Sequence, residues 1–337
     1  MLLKVSVTRK TEWIILVVSI VCNTYNHEKY ISNALDSFLS QKTNFQFEIL
    51  VYDDASTDKT ADIIKEYEKK YPAIIKPVYQ TVNQFSLGLK PGQQNRARAT
   101  GKYIAICEGD DYWCDCNKLQ KQVDYMESHP DCTFCFTNGY VKYGNNEINK
   151  TRQIVPWDKN AKFKKNVFDL DVGEVEQFGF IPTCSFLFKN NIDVLDVSPN
   201  AFQGDTYLKI SMTNAGYAHF MDEPMVVYRR GVQNSATAVW QKNIKYYVKQ
   251  CDSFIVLFSD LKNILDNKYS NVMKMRICQW KINKYYTLRD YKSLRHLVSS
   301  GEIMALRYGN AHSIVSYGIK CLFPKTTDKL RAHMDHR

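Results

Sequence analysis

Hydrophobic positions along the first 140 residues switch repeatedly between two spacings. A short apolar run from Val17 to Cys22 is followed, after the turn "NTYN", by apolar residues three and four positions apart, at Ile31, Ala34, Leu35, Phe38 and Leu39. The run predicts a buried strand, and the spacing after it predicts an amphipathic helix. The first element pair is therefore a strand that leads into a helix.

The same order recurs twice further along the chain. A strand over Glu48 to Tyr52 precedes a helix for which Ser56, Thr57 or Asp58 is the expected N-cap. A strand over Lys102 to Cys107 then precedes a helix with Leu119, Val123 and Met126 on one face. Alternating strands and helices are typical of a Rossmann-like α/β fold, a mostly parallel sheet flanked by helices.

Composition agrees with a globular protein of 337 residues, 45% hydrophobic and 13% aromatic, large enough for one main core and a smaller second unit. Its longest strongly apolar stretch, "WIILVVSIV", has nine residues, against roughly 20 for a membrane-spanning helix. With no signal-peptide pattern either, we expect a cytoplasmic protein that is neither exported nor membrane-spanning.

The ten cysteines show no disulfide spacing and are expected to be reduced thiols. Cys114, Cys116, Cys132 and Cys135 leave a zinc site open as an alternative. Against zinc, Cys132 and Cys135 lie in a predicted strand, where residues three apart point to opposite faces.

The positive charge is concentrated at the C-terminal end. Residues 241–337 hold 18 Lys and Arg against 7 Asp and Glu, whereas the preceding 240 residues hold 27 against 28. The segments from about 236 onward also have helical spacing. This basic helical region is predicted to rest on the anionic inner face of a membrane. Two alternatives stay open. The region is a solvated basic helical face, or its helices pack on the rest of the chain or on a second copy.

Polar side chains follow three predicted strands at "NTYN" (23–26), "DDAS" (53–56) and "EGDD" (108–111). In open parallel sheets, ligands bind beyond the carboxyl ends of the strands, so the three segments are expected at one edge. Each alone also fits a turn or helix cap. GxGxxG and GxxxxGK[ST] loops are absent from the sequence, which argues against a dinucleotide dehydrogenase and a P-loop NTPase.

Carboxylates crowded at 108–111 are tolerable when a divalent cation offsets their repulsion. Mg²⁺ and Mn²⁺ prefer oxygen ligands together with substrate phosphates, so a metal diphosphate fits this segment. A displacement at an anomeric carbon would need a second carboxylate elsewhere as a base, and Asp205 in "QGDTYL" is available. The alternative for Asp205 is an ordinary helix N-cap.

Over residues 17 to about 235, the chain resembles family 2 glycosyltransferases of the GT-A fold. The similarity lies in "VSIVCNTYNHEKYISNALDSFLSQ", "FEILVYDDASTDKTADII", "GKYIAICEGDDYWCDCNKLQKQVDYM" and "QGDTYLKISMTNAGYAHFMDEPMVVYRR". It is most like bacterial members that build cell-surface polysaccharide or lipopolysaccharide. The resemblance implies a catalytic domain over 1–235 and a basic, mainly helical region over 236–337.

The resemblance also implies a donor site. Asp54 and Asp53 would hold the base of a nucleotide sugar, a UDP-sugar as first choice, with the turn formed by Asn23, Thr24 and Tyr25. Arg96 in the loop "QFSLGLKPGQQNRARATG" is a weaker candidate for a donor contact, as is Gln93.

The metal and the base are implied in the same way. Asp110 would lie by the ribose and the metal, Asp111 would bind Mn²⁺ or Mg²⁺ on the diphosphate, and Glu108 occupies the first place of the D-x-D pattern. Asp205 matches the base of an inverting transferase. Where relatives often carry a histidine after "YR", this chain has Arg229 and Arg230.

The expected acceptor is a glycan or a lipid-linked molecule, with 139–182 as part of the acceptor wall. The apolar run "FIPTCSFLF" that follows is expected to be a strand that places Thr183 and Ser185 near the reaction centre. Two other functions stay open: a sugar nucleotidyltransferase and a catalytically silent nucleotide-sugar-binding protein. A homodimer is also left open, and no nucleic-acid partner is expected.

Overall fold

The computed structural model describes residues 16–143, 152–153, 168–178, 180–202, 204–232, 243–309 and 311–324, with backbone alone at 152–153 and 311–314. The strands in chain order are β1 (Leu16–Thr24), β2 (Gln46–Asp53), β3 (Ile75–Tyr79), β4 (Tyr103–Ile106), β5 (Tyr112–Trp113), β6 (Cys132–Tyr143), β7 (Arg152–Gln153), β8 (Asp169–Leu170), β9 (Leu187–Lys189) and β10 (Tyr217–Arg230).

Helices flank these strands and then continue alone to the end of the described chain. They are α1 (Ile31–Leu39), α2 (Thr60–Lys70), α3 (Pro91–Arg96), α4 (Lys118–Ser128), α5 (Val172–Phe178), α6 (Asp205–Asn214), α7 (Ile244–Ile264), α8 (Ser270–Thr287), α9 (Tyr291–Ser299) and α10 (Ala311–Leu322). Short 3-10 turns include Phe85–Leu87 and Thr183–Ser185.

The strands form one mixed sheet in the order β3-β2-β1-β4-β9-β6-β10-β5. The first four are mutually parallel, and β6 and β10 are parallel to each other. Strand β9 runs antiparallel to both β4 and β6, so it joins the two parallel halves. The predicted Rossmann-like sheet is confirmed, with one antiparallel strand at its centre that the alternating pattern did not indicate.

Helices cover both faces of the sheet. Residues of α1, α2 and α4 pack with β1 in one hydrophobic cluster, and residues of α5 and α6 pack with β6 and β10 in another. The periodic residues Phe38, Leu119 and Val123 are all buried, as predicted. Helix α2 differs in one detail, since its N-cap is Lys59 and the Asp58 carboxylate instead accepts the N–H of Thr60 at 2.9 Å.

The expectation that Cys132 and Cys135 face opposite ways is wrong. Both belong to the same hydrophobic cluster, whereas Phe134 between them belongs to the other. The pairing of β6 with β10 passes from Cys132 opposite Tyr217 directly to Phe134 opposite Ala218, so Thr133 is an extra residue in a bulge. A bulge breaks the two-residue alternation on which the expectation rested.

The C-terminal helices share a core with the sheet-bearing part of the chain. Tyr207 and Ile210 of α6 pack in one cluster with Phe254 and Phe258 of α7 and with Met273 of α8. The predicted helices over "YYVKQCDSFIVLFSDLKNIL" and "YSNVMKMRICQWKINKYY" are thus present. Among the helices of the described residues, each is too short or too polar to cross a membrane.

A buried ion triad lies within this shared region. Glu176 of α5 contacts Lys209 Nζ of α6 with one carboxylate oxygen and Arg276 Nε of α8 with the other, each at 2.9 Å. The side chain of Glu176 is completely buried and that of Lys209 is 8% exposed. Burial alone would raise the pKa of Glu176, but the two cations hold this pKa below its usual value. We call Glu176, Lys209 and Arg276 the ion triad.

Candidate functional site

The polar segments that follow β1, β2 and β4 meet at one edge of the sheet, as predicted. Thr24 lies opposite Asp53 in the parallel pairing of β1 with β2. The N–H of Asp54 donates to the carbonyl of Thr24 at 3.0 Å, and the N–H of Gly109 donates to the carbonyl of Asn23 at 3.0 Å. Hydrogen bonds therefore tie both outer segments to the end of β1.

Gly109 lets the acidic segment approach β1 closely. A Cβ atom added there would lie 2.7 Å from Thr24 Oγ1 and 3.1 Å from His27 Nδ1, which is too close for any side chain. Both of these atoms are buried and lack a hydrogen-bond partner. Polar atoms in that condition point to a ligand or water that the segment accommodates.

Three carboxylates occupy the loop after β4, and we call Glu108, Asp110 and Asp111 the acidic cluster. Burial, and after it the neighbouring Asp110 carboxylate, raises the pKa of Glu108 to about 8. Burial likewise raises the pKa of Asp111, with Cys184 and Asp110 as further contributors. The crowding inferred from the sequence is real, and burial together with the neighbouring charges raises the pKa of both Glu108 and Asp111.

The two aspartates of the cluster differ in access. Asp111 is 3% exposed, and one of its oxygens accepts the backbone N–H of Arg229 at 2.7 Å. The side chain of Asp110 is 14% exposed, and one of its oxygens lies 3.9 Å from His27 Nε2. Asp110 is thus better placed to meet a ligand at the sheet edge, and Asp111 is directed into the protein.

Arg229 supports this loop from the side. Its guanidinium donates to the carbonyl of Asp110 and to Asn33 Oδ1, the latter at 2.6 Å. It also lies over the rings of Tyr30 and Tyr112, at 5.0 and 4.6 Å from their centroids. These contacts engage the guanidinium with the protein itself, so Arg229 fixes the backbone of the acidic cluster.

His27 is a site residue that the sequence reasoning missed. It follows the "NTYN" turn directly, is 8% exposed, and faces Asp110. Burial lowers its pKa, against the opposing effect of Asp110. The resemblance suggested a histidine after "YR", whereas the histidine of this chain adjoins a strand-end turn already assigned to the site.

Asp53 and Asp54 are both buried and bonded within their own loops. Asp53 accepts hydrogen bonds from the hydroxyl and the N–H of Ser56, the latter at 3.2 Å. Asp54 accepts the N–H groups of Gln84 at 2.7 Å and Phe85 at 3.0 Å. Their predicted contact with a base stays a prediction, and their visible role is to build the loop beyond β2.

The side chains of Asn23 and Arg96 both lie close to Gly92 of α3. A Cβ atom added to Gly92 would lie 3.5 Å from Asn23 Nδ2 and 3.9 Å from a terminal nitrogen of Arg96. Arg96 lines a cavity of about 440 Å³ with Gln93, Asp196 and Tyr207. Tyr25 and Thr24 lie at the neighbouring end of β1, so the structure brings these predicted residues to the same edge.

Asp205 is the first residue of α6, and its N-cap is Gly204. Its carboxylate accepts the adjacent N–H of Thr206 at 2.8 Å, and because Gly204 occupies the N-cap, the alternative of an Asp205 side-chain N-cap is not what the helix uses. Burial raises the pKa of Asp205, against the opposing charge of Lys209 one turn later. The charge of Asp205 also raises the pKa of Glu108, so the two lie within electrostatic range.

Two further predictions concern the strand at Thr183 and Ser185 and the acceptor wall. Thr183 and Ser185 lie in a 3-10 turn and not in a strand, because β9 begins only at Leu187. Ser185 is completely buried, and its hydroxyl donates to the carbonyl of Pro182 at 2.7 Å. Of the predicted acceptor wall over 139–182, residues 144–151, 154–167 and 179 lie outside the described residues.

The site could hold a divalent cation only together with a bound ligand that supplies further oxygen atoms. Across the described ranges, no group of three or more His, Cys, Asp or Glu side chains is arranged to hold a metal ion alone. In the same part of the chain, no three cysteines lie together as zinc ligands would. Mg²⁺ and Mn²⁺ commonly take one or two carboxylates plus substrate phosphates, and Asp110 with Glu108 supplies such a partial set.

The family model described as "Glycosyl transferase family 2" matches residues 19–193 of this chain. The chain therefore belongs to glycosyl transferase family 2. An uncharacterized protein of Mycobacterium tuberculosis is 36% identical over 223 residues, which are 65% of this chain and 61% of that protein. The matched region thus spans less than two thirds of this relative.

Solved structures share the fold at low sequence identity. S. aureus TarS gives a TM-score of 0.56 at 16% identity, with 86% of this chain and 49% of TarS covered. The mannosyltransferase PcManGT from Pyrobaculum calidifontis, in complex with GDP-Man and Mn²⁺, gives 0.51 at 14% identity over 92% of this chain and 88% of that one. The predicted GT-A fold is confirmed.

Proposed function

We propose that this protein is an inverting, metal-dependent glycosyltransferase. It moves a sugar from a nucleotide diphosphate, a UDP-sugar as first choice, to a hydroxyl of a glycan or lipid-linked acceptor in surface polysaccharide synthesis. The observation that carries the proposal is the acidic cluster at the sheet edge, within electrostatic range of Asp205. Family membership and the donor complex of PcManGT support the same class of substrate.

The roles follow from where the carboxylates lie. Asp110 and Glu108 are proposed to face the diphosphate and its Mn²⁺ or Mg²⁺. The metal contact of Asp111 that the resemblance implies stays a prediction, and one Asp111 oxygen holds the loop in place by accepting the N–H of Arg229. The bound cation supplies positive charge that stabilises the departing diphosphate. Asn23, Thr24, Tyr25, Asp53 and Asp54 are proposed to contact the nucleoside, and Arg96 the donor sugar.

Asp205 is proposed as the general base. It would take the proton of the acceptor hydroxyl while that oxygen bonds to the anomeric carbon, and the bond from this carbon to the phosphate oxygen breaks on the opposite face. Burial raises the pKa of Asp205, which favours proton acceptance once the group is ionised. A positioned base contributes typically 10²- to 10⁴-fold in rate.

The chain is further proposed to divide its work at about residue 235. Residues 1–235 would hold the donor and the base, with 139–182 selecting the acceptor. Residues 236–337 would hold α6 in position, because Phe254 and Phe258 pack in one hydrophobic cluster with Tyr207 of α6. Replacing 139–182 with the segment of a relative should change the acceptor and leave the donor nucleotide unchanged.

The decisive experiment pairs Asp205→Asn with a matched control, Asp124→Asn, at an exposed carboxylate of α4. With UDP-, GDP- and dTDP-sugars and Mn²⁺, the unaltered protein should release a nucleoside diphosphate slowly. Asp205→Asn should bind the donor normally in calorimetry and lose release by at least about 100-fold, while the control keeps it. Equal release by both variants would remove Asp205 from the mechanism.

The same assay separates the alternatives. Release of pyrophosphate from a nucleoside triphosphate and a sugar phosphate would favour a nucleotidyltransferase. Donor binding without turnover in any acceptor extract would favour a silent binding protein. If neither Mn²⁺ nor Mg²⁺ promotes the binding of any sugar nucleotide, the metal-dependent proposal fails.

A further inference from the structure

Helix α10, near the end of the described chain, carries apolar side chains on two opposite faces. On the inner face, Cys321 is 3% exposed and packs with Tyr286 and Leu294, and Tyr317 packs against the same cluster. On the outer face, Val315, Ile319 and Leu322 are 58%, 42% and 59% exposed. We call these last three residues the outer stripe.

Helical geometry separates the two faces clearly. At about 100° per residue, Val315, Ile319 and Leu322 fall within an arc of roughly 60°, while Tyr317 and Cys321 project to the opposite side. The inner face already anchors α10 to the C-terminal helices, so the outer stripe is not needed for that packing. An apolar helix face that packs on nothing in its own chain is normally covered by other protein or by lipid.

Charge distinguishes the candidates for this cover. The region 241–337 that contains α10 holds 18 basic against 7 acidic residues, so two copies facing each other would repel, whereas anionic lipid would attract. The apolar area of the outer stripe also argues against a second copy. Three half-exposed side chains offer far less than the roughly 1,200 Å² that specific protein interfaces bury. An apolar stripe in a basic region is typical of a helix lying in a membrane interface.

We propose that α10 docks on an anionic bilayer through the outer stripe, with Val315, Ile319 and Leu322 inserted at the boundary of headgroups and acyl chains. The helix lies along the surface, and the net positive charge of residues 241–337 attracts the region to acidic headgroups. This assigns a definite surface to the membrane contact that the charge balance alone left unlocated. It does not depend on the transferase chemistry.

The test is flotation of the full chain with vesicles of phosphatidylglycerol mixed with phosphatidylcholine, and with phosphatidylcholine alone. The double variant Ile319→Glu/Leu322→Glu is compared with Leu288→Glu, a 49% exposed leucine that follows α8. We expect salt-sensitive binding to the acidic vesicles only, a loss of about ten-fold or more in the double variant, and a change below about two-fold in Leu288→Glu.

Thermal unfolding of each variant confirms that a loss of binding is not a loss of fold. Equal vesicle binding by the double variant and the unaltered protein would overturn the proposal. So would a dimer in lipid-free sedimentation velocity that the double variant converts to a monomer, since a second copy would then be the cover. Nucleoside diphosphate release from a donor in solution should stay unchanged in the double variant, which separates failure here from failure of the transferase assignment.

Discussion

The acidic cluster and the ion triad both bury charged groups, yet they are built in opposite ways. In the triad, Glu176 has a cation within 2.9 Å of each oxygen, and its pKa falls. In the cluster, Glu108 has carboxylates as neighbours and its pKa rises to about 8. A buried charge with built-in partners serves the fold, whereas one without them is expected to be completed by a ligand.

The largest expected effect comes from breaking the triad. Glu176→Gln removes the carboxylate that contacts both Lys209 and Arg276, and we expect a loss of about 3–5 kcal/mol in the free energy of unfolding. Urea denaturation at neutral pH measures this loss. The triple change Glu176→Leu/Lys209→Met/Arg276→Met is the control and should recover most of the loss, because it removes all three charges of the triad together. A loss in the triple variant as large as that in Glu176→Gln would mean that packing, and not charge, is at stake.

Removing a charge from the acidic cluster should stabilise the fold, whereas removing one from the triad destabilises it. In metal-free protein, Glu108→Gln should stabilise the fold by about 2 kcal/mol at pH 9, after allowance for partial exposure, and by nearly nothing at pH 4. The reason is that a raised folded-state pKa gives stability at low pH that is lost as pH rises through about 8. Urea unfolding in a chelator at both pH values checks this, and destabilisation at pH 9 would contradict it.

The triad should show the reverse pH dependence. The pKa of Glu176 is lowered in the folded state, so its contribution is present above the unfolded value near 4.5 and is lost as pH falls below it. The stability difference between the unaltered protein and Glu176→Gln should therefore shrink by about 1 kcal/mol or more on acidification from pH 6 to pH 3. A difference that stays constant over this range would mean that Glu176 is not ionised in the fold.

A surface pair provides the smallest effect and a baseline. Lys281 and Glu302 lie 2.6 Å apart with side chains 28% and 40% exposed. Glu302→Gln should cost at most about 1 kcal/mol, because exposed pairs gain little in water. If its cost in urea unfolding matched that of Glu176→Gln, burial would not be what distinguishes the triad.

Much of the fold could be predicted from periodicity, and the reasons for the misses are specific. The pairs β1–α1, β2–α2 and β4–α4 each show their spacing locally, so they appear in the sequence. The central position of β9 and the bulge at Thr133 depend on pairing between strands distant along the chain. No local spacing reports such pairing.

The candidate site likewise has a part that could be predicted and a part that could not. The common location of Asn23, Asp53 and Asp110 could be predicted, because parallel strands end at one edge of the sheet. The contacts of Arg229 with Asp110 and Asn33 join positions more than a hundred residues apart along the chain, and so does the bond from the backbone N–H of Arg229 to the Asp111 carboxylate. His27 was within reach, since it adjoins "NTYN" and faces Asp110.

The joint cluster of Tyr207 and Ile210 with Phe254 and Met273 has a consequence for how such a protein varies. Substitutions in the last hundred residues act on the same packed body as the helix whose first residue is Asp205. Drift in this remote segment can therefore shift the position of Asp205 without altering any residue of the candidate site, and a version trimmed near 235 would lose part of the packing around that helix.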